Sequence, residues 1–113
     1  MRLETRACLD DLLRAGELIQ SALLGVPLEQ FLANWEKQSA IERQFMIIGE
    51  ALIRIRDHDP AVFEVIPDSR AIISFRNLLV HRYDFEDPEA IYDLSGSDQS
   101  ALIDVVTRLL SGS

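Results

Sequence analysis

The chain has 113 residues, 48% of them hydrophobic and 27% charged, with one cysteine and a formal net charge of −8. That size and apolar fraction fit a single globular domain over residues 1–113, and a lone Cys8 excludes an internal disulfide framework or cysteine metal cluster, as suits a protein of the reducing cytoplasm. The acidic balance argues against general electrostatic attraction to nucleic acid. No apolar run approaches the roughly 18 residues of a membrane span, so neither a signal peptide nor a transmembrane segment is expected.

From Leu3 to Leu24, Leu9, Leu12, Leu13, Gly16, Ile19 and Leu23 follow the i, i+3, i+4, i+7 spacing of a one-sided helix, with Gly25 as its stop. Pro27 suits the first turn of a short helix through Leu28, Phe31, Leu32 and Trp35. Ser39-Ala40-Ile41-Glu42 matches a capping box, which predicts the start of a long third helix. Its apolar seam is Ile41, Phe45, Ile48, Leu52 and Ile55, the spacing of a helix packed along another, and Gly49 permits close backbone approach. Phe45, Met46 and Trp35 read as core or interface packing.

The third helix should end near Asp57-His58-Asp59-Pro60, because proline disfavours helical geometry at the residue before it. After a short 61–66 segment, Pro67-Asp68-Ser69 offers the cap and first turn of a helix through Ile72, Ile73, Phe75, Leu78, Leu79 and Val80. Asp87-Pro88-Glu89 starts a short piece through Ile91 and Leu94. Ser95-Gly96-Ser97 is expected to break the chain before a last helix carrying Leu102, Val105, Val106 and Leu109. Without strand alternation, the fold class is all-α: an up-and-down bundle of three to four long helices with short helical connectors.

Charge is unevenly spread. Residues 37–82 hold seven bases and six acids, a net +1, which leaves −9 for the rest of the chain. A phosphate-binding site therefore belongs in the middle. There the run Arg76-Asn77-Leu78-Leu79-Val80-His81-Arg82-Tyr83 places a permanent cation, an imidazole and a phenol close together on one predicted helix. Arginine offers a planar fork of donors that fits phosphate oxygens, and histidine exchanges protons near neutrality, so the pair suits phosphodiester cleavage. In that scheme His81 acts on an attacking 2′-hydroxyl or on the leaving oxygen, and Arg76 stabilises charge developing on the phosphate. An internal 2′-hydroxyl nucleophile restricts the reaction to RNA, not DNA, and requires no metal or other cofactor.

At about 100° per residue, Arg76 lies almost in line with Tyr83 but about 140° from His81. Either the helix distorts around residues 80–82, or a second subunit completes the site across a two-fold axis. Asn77 and His81, four apart, can meet, so Asn77 is expected to orient the imidazole. Arg82 either grips a neighbouring phosphate or pairs with Asp84 or Glu86, and Arg70 extends the basic strip if the helix is regular. The plainer alternative is a surface ion pair and a hydrogen-bonded imidazole; the residues alone leave both open. His58 between two aspartates reads as a solvated helix end and not a metal set. Glu50, on an apolar helix, is expected to capture an arginine across the bundle, with contact to the cleft as the alternative. The acids Asp84, Glu86, Asp87 and Glu89 read as a solvated face.

The segment 72–83 resembles the signature of the HEPN superfamily, most closely its HepT-like (DUF86) branch: Arg, a polar residue, three residues, His, one residue, Tyr. Ile47-Ile48-Gly49-Glu50-Ala51 is similar to an Ile-Gly-Glu-Ala segment on that family's central helix, and Ile91-Tyr92-Asp93-Leu94 to its short hydrophobic connector. One departure is Ser69-Arg70, where the family often has tryptophan. The resemblance covers essentially the whole chain. It implies a HEPN-type bundle that dimerises through its motif helices, alone or within a larger hetero-oligomer, and acts as the metal-independent endoribonuclease toxin of a type VII-like toxin-antitoxin pair. It also implies a nucleotidyltransferase antitoxin of the MNT type that adenylylates Tyr83. Added phosphates there would set negative charge beside Arg76 and obstruct RNA. The alternative is a non-catalytic HEPN module that presents nucleotide or substrate to that partner, a reading the −8 charge favours.

Overall fold

The computed structural model describes residues 1–81, 87–97 and 99–112, with only the helical backbone at 96, 97 and 99. These residues form α1 (Leu3–Leu23), α2 (Leu28–Leu32), α3 (Trp35–His58), α4 (Pro60–Val65), α5 (Ser69–His81), α6 (Pro88–Ser97) and α7 (Gln99–Ser111), with no strand among them. The fold is all-α. None of these helices is long and apolar enough to cross a membrane.

The two longest helices form the spine. Leu9, Leu12 and Ile19 of α1 meet Ile41, Phe45, Ile48, Leu52 and Ile55 of α3, all essentially inaccessible to water. Burying such a side chain contributes roughly 1.5–3 kcal/mol, so this seam dominates the stability of the fold. Polar contacts at both ends show that α1 and α3 run antiparallel. Thr5 donates to Asp59 Oδ2 at 3.3 Å at one end, and Lys37 Nζ donates to the Ala22 carbonyl at 2.8 Å at the other. α7 runs antiparallel to α1 in the same way, with Arg6 donating to the Leu110 carbonyl and Gln20 to Ser100 Oγ. Phe31 of α2 and Tyr92 of α6 close one end, their rings 5.4 Å apart, and the Tyr92 hydroxyl donates to the Val26 carbonyl at 2.7 Å.

Two predicted boundaries are corrected. The capping box at Ser39–Glu42 is not a helix start: α3 begins at Trp35, and Asn34 Oδ1 caps it by accepting from the Lys37 amide at 3.0 Å. Tertiary ties extend the first turn backwards. Lys37 reaches the end of α1, and Gln38 Nε2 donates to the Phe31 and Leu32 carbonyls at the end of α2. Trp35, at the outer start of α3, is 72% exposed and so is not core, whereas Phe45 is fully buried. The break expected at Ser95-Gly96-Ser97 is absent. α6 runs through Ser97, and buried Ser95 satisfies its hydroxyl by donating to the Ile91 carbonyl at 2.6 Å, so the helix need not open there.

Asp68, with φ 57°, turns the chain into α5, and its carbonyl accepts from the Ile72 amide at 3.0 Å. Aspartate tolerates this left-handed conformation better than most residues. α5 then lies along α3 and, among the described residues, makes no comparable contact with any other helix.

Candidate functional site

Ile72 and Ile73 bury themselves in the core at the start of α5, and Phe75 packs edge-on against Phe45, their centroids 5.4 Å apart. These anchors turn Arg76 onto α3. Opposite it stands Gly49, buried on the α3 surface. A Cβ on Gly49 would lie 2.5 Å from Arg76 Cγ and 3.3 Å from Cδ, and would overlap Arg76 Cβ as well. Only glycine admits the arginine stem at this depth. The close approach expected at Gly49 is thus made by the side chain of Arg76.

The guanidinium emerges at the rim of this notch with its side chain 17% exposed. Nη1 donates to Asn77 Oδ1 at 3.0 Å and Nη2 to Glu50 Oε1 at 3.3 Å. Glu50 therefore captures an arginine across the helix pair, as expected of it. Nε is buried and has no hydrogen-bond partner among the described residues. A buried donor left unmade costs about 1–3 kcal/mol, and such a group calls for an explanation.

α5 is α-helical through His81, and the rest of the stretch where a distortion was expected lies outside the described residues. His81 is exposed at the last residue of the helix, on a different side from Arg76. On the regular helix the two residues point about 140° apart and share no hydrogen bond. Asn77, expected to orient His81, accepts through Oδ1 from Arg76 instead. Leu78 and Val80, also on α5, stay 38% and 36% exposed beside the motif. Arg82 and Tyr83, together with Asp84 and Glu86, lie outside the described residues.

Arg70 does not extend a free basic strip. Its Nη2 pairs with Glu64 Oε1 at 2.6 Å, and its guanidinium sits 5.3 Å from the centre of the Phe63 ring. The reason is local: α4 and the turn at 66–68 bring Glu64 back beside the first turn of α5. His58 is an exposed helix end with Nδ1 3.9 Å from Glu4. Among the described residues, no three His, Cys, Asp or Glu side chains converge as a metal site. Sequence spacing predicts close backbone approach at Gly49 and capture of an arginine by Glu50, but that the close neighbour is the Arg76 stem and that Asn77 shares its guanidinium are seen only in the structure.

A family model described as Ribonuclease HepT-like matches residues 12–109, which takes in the core seam, the arginine notch and the motif helix. No solved structure matches the chain. The chain belongs to the HepT-like ribonuclease family.

Proposed function

We propose that this protein is a metal-independent endoribonuclease toxin whose working site is shared between two copies of the chain. The observation that carries this reading is the geometry of α5. It holds Arg76 in the α3 notch and leaves His81 exposed on another side of a regular helix, which supports a site completed by a second subunit. The exposed Leu78 and Val80 give that subunit an apolar surface to cover. Arg76 of one protomer then faces His81 of its partner.

In this scheme the RNA 2′-hydroxyl attacks the adjacent phosphorus as His81 manages the proton. The bond from phosphorus to the 5′-oxygen breaks, and that oxygen leaves protonated, giving a 2′,3′-cyclic phosphate and a 5′-hydroxyl. Arg76 stabilises the charge on the non-bridging oxygens, with Asn77 supporting it. Arg82 grips a neighbouring phosphate, and Arg70 does so only where RNA displaces Glu64. Tyr83 is the acceptor for adenylylation by a nucleotidyltransferase antitoxin of the MNT type, which silences the enzyme. Purified protein is expected to cut RNA in the presence of a chelator, and Arg76→Ala and His81→Ala each to abolish cutting. Turnover that survives both substitutions overturns the assignment.

One observation favours a second reading, a binding module that presents nucleotide to the nucleotidyltransferase. Arg70 and Arg76 are both paired with carboxylates, which weakens the positive field an RNA-binding enzyme needs. Growth arrest on expression alone, relieved by the nucleotidyltransferase, supports the toxin; harmless expression supports the module.

A further inference from the structure

The Arg76 guanidinium is held from two helices, and the two holds differ in kind. Asn77 rides on α5 with Arg76 and moves with it, whereas Glu50 belongs to α3. Among the described residues, Glu50 therefore gives the guanidinium its hydrogen bond to another helix. Its side chain is 59% exposed, and an ion pair that open to water contributes little stability. The contact sets direction more than it holds the fold together.

The direction is specific. Each Nη carries two protons, one of which is taken here by Asn77 or Glu50, and the single Nε proton is buried against α3. Turning the Nε edge outward would lift the stem from the bare backbone of Gly49. The donors left for a phosphate are the second protons of Nη1 and Nη2, so phosphate meets the guanidinium end-on. Glu50 also places a negative charge next to where that phosphate sits. For a separation of about 6 Å in water, Coulomb's law makes this repulsion worth about threefold in affinity.

We infer that Glu50 is a positioning residue for Arg76: its carboxylate oxygen aims the Nη1–Nη2 end at phosphate while its charge loosens RNA binding. The inference rests on the reading of Arg76 as the phosphate-binding group. Oxygen and charge are separable by substitution. Glu50→Gln keeps an acceptor and loses the charge, so KM falls about threefold and kcat stays near that of the native protein. Glu50→Ala loses both, so KM falls similarly, while kcat drops about tenfold because the charge-stabilising group is no longer aimed.

The test is steady-state cleavage of a short mixed-sequence RNA oligonucleotide by the full chain, with anisotropy binding of its 2′-O-methyl analogue, which cannot be cut. Both Glu50 variants are measured with and without Arg76→Ala. The inference requires the kcat loss in Glu50→Ala, its rescue in Glu50→Gln, and a gain in binding in both variants. Native kcat in Glu50→Ala, equal kcat loss in both variants, or no gain in binding in either variant overturns it. If Arg76→Ala cuts RNA normally, it is the Arg76 reading that fails. If the native chain cuts nothing, the binding cycle alone decides, and unchanged affinity in Glu50→Gln refutes the inference.

Discussion

Replacing Gly49 by alanine isolates the notch that seats Arg76. In the middle of a 24-residue helix, glycine is about 1 kcal/mol worse than alanine, so propensity alone predicts that Gly49→Ala stabilises the protein. Packing predicts the opposite. The new Cβ would stand 2.5 Å from Arg76 Cγ where ordinary contact begins at 3.4 Å, so the stem must retreat by the difference, about 0.9 Å. The overlap includes Arg76 Cβ, which no rotamer change removes, so the α5 backbone itself must shift. Overpacking of this kind costs roughly 1–3 kcal/mol, which leaves a net loss of about 1 kcal/mol and a Tm lower by roughly 4 °C.

Cleavage should suffer far more than stability, by roughly 100-fold, because a displacement near 1 Å misplaces the charge-stabilising group. Thermal unfolding with and without Arg76→Gly gives the clean assay. With glycine at 76 the overlapping atoms are gone, so Gly49→Ala should then raise Tm by roughly 4 °C, a reversal of sign that only direct contact produces. If Gly49→Ala raises Tm while Arg76 is present and leaves cleavage intact, the notch as described is wrong.

Two further predictions concern the fold. Asn34→Ala removes the α3 cap and should cost about 1 kcal/mol, whereas Ser39→Ala, inside the helix, should be neutral or stabilise by about 0.5 kcal/mol; chemical denaturation of both decides which residue starts the helix. Burial pushes the Cys8 thiol above its ordinary value of 9.0, with Arg54 opposing the shift and Asp11 and Glu4 adding to it. As pH rises past 9.0 the unfolded thiol ionises first, so stability is full below that pH and declines above it. Denaturation midpoints should therefore fall more steeply with alkaline pH in the native chain than in Cys8→Ala, and equal slopes refute the shift.

Much of the architecture is legible from spacing because it rests on one strong pattern. The alternating seam of Ile41, Phe45, Ile48, Leu52 and Ile55 leaves α3 only one way to bury itself, and Gly49 beside that seam announces a close neighbour. Where local signals compete, tertiary contacts decide. Asn34 and Ser39 are both good caps, and the ties of Lys37 and Gln38 to α1 and α2 select Asn34. Gly96 looks like a breaker until the Ser95 hydroxyl is seen bonded back within the helix. The candidate site was half legible. Angles along the helix already separated Arg76 from His81, but pairing of Arg70 with Glu64 and of Arg76 with Asn77 depends on side-chain reach, which spacing does not encode.

The shared site is tested most directly by mixing two inactive chains. Arg76→Ala and His81→Ala proteins, co-expressed so that subunits pair at random, form heterodimers with one intact composite site, and about a quarter of native sites are restored overall. The account predicts metal-independent RNA cleavage at about that fraction of the native rate from the mixture, and none from either variant alone. A mixture as inactive as its components would contradict it and place Arg76 and His81 of a single chain at one site.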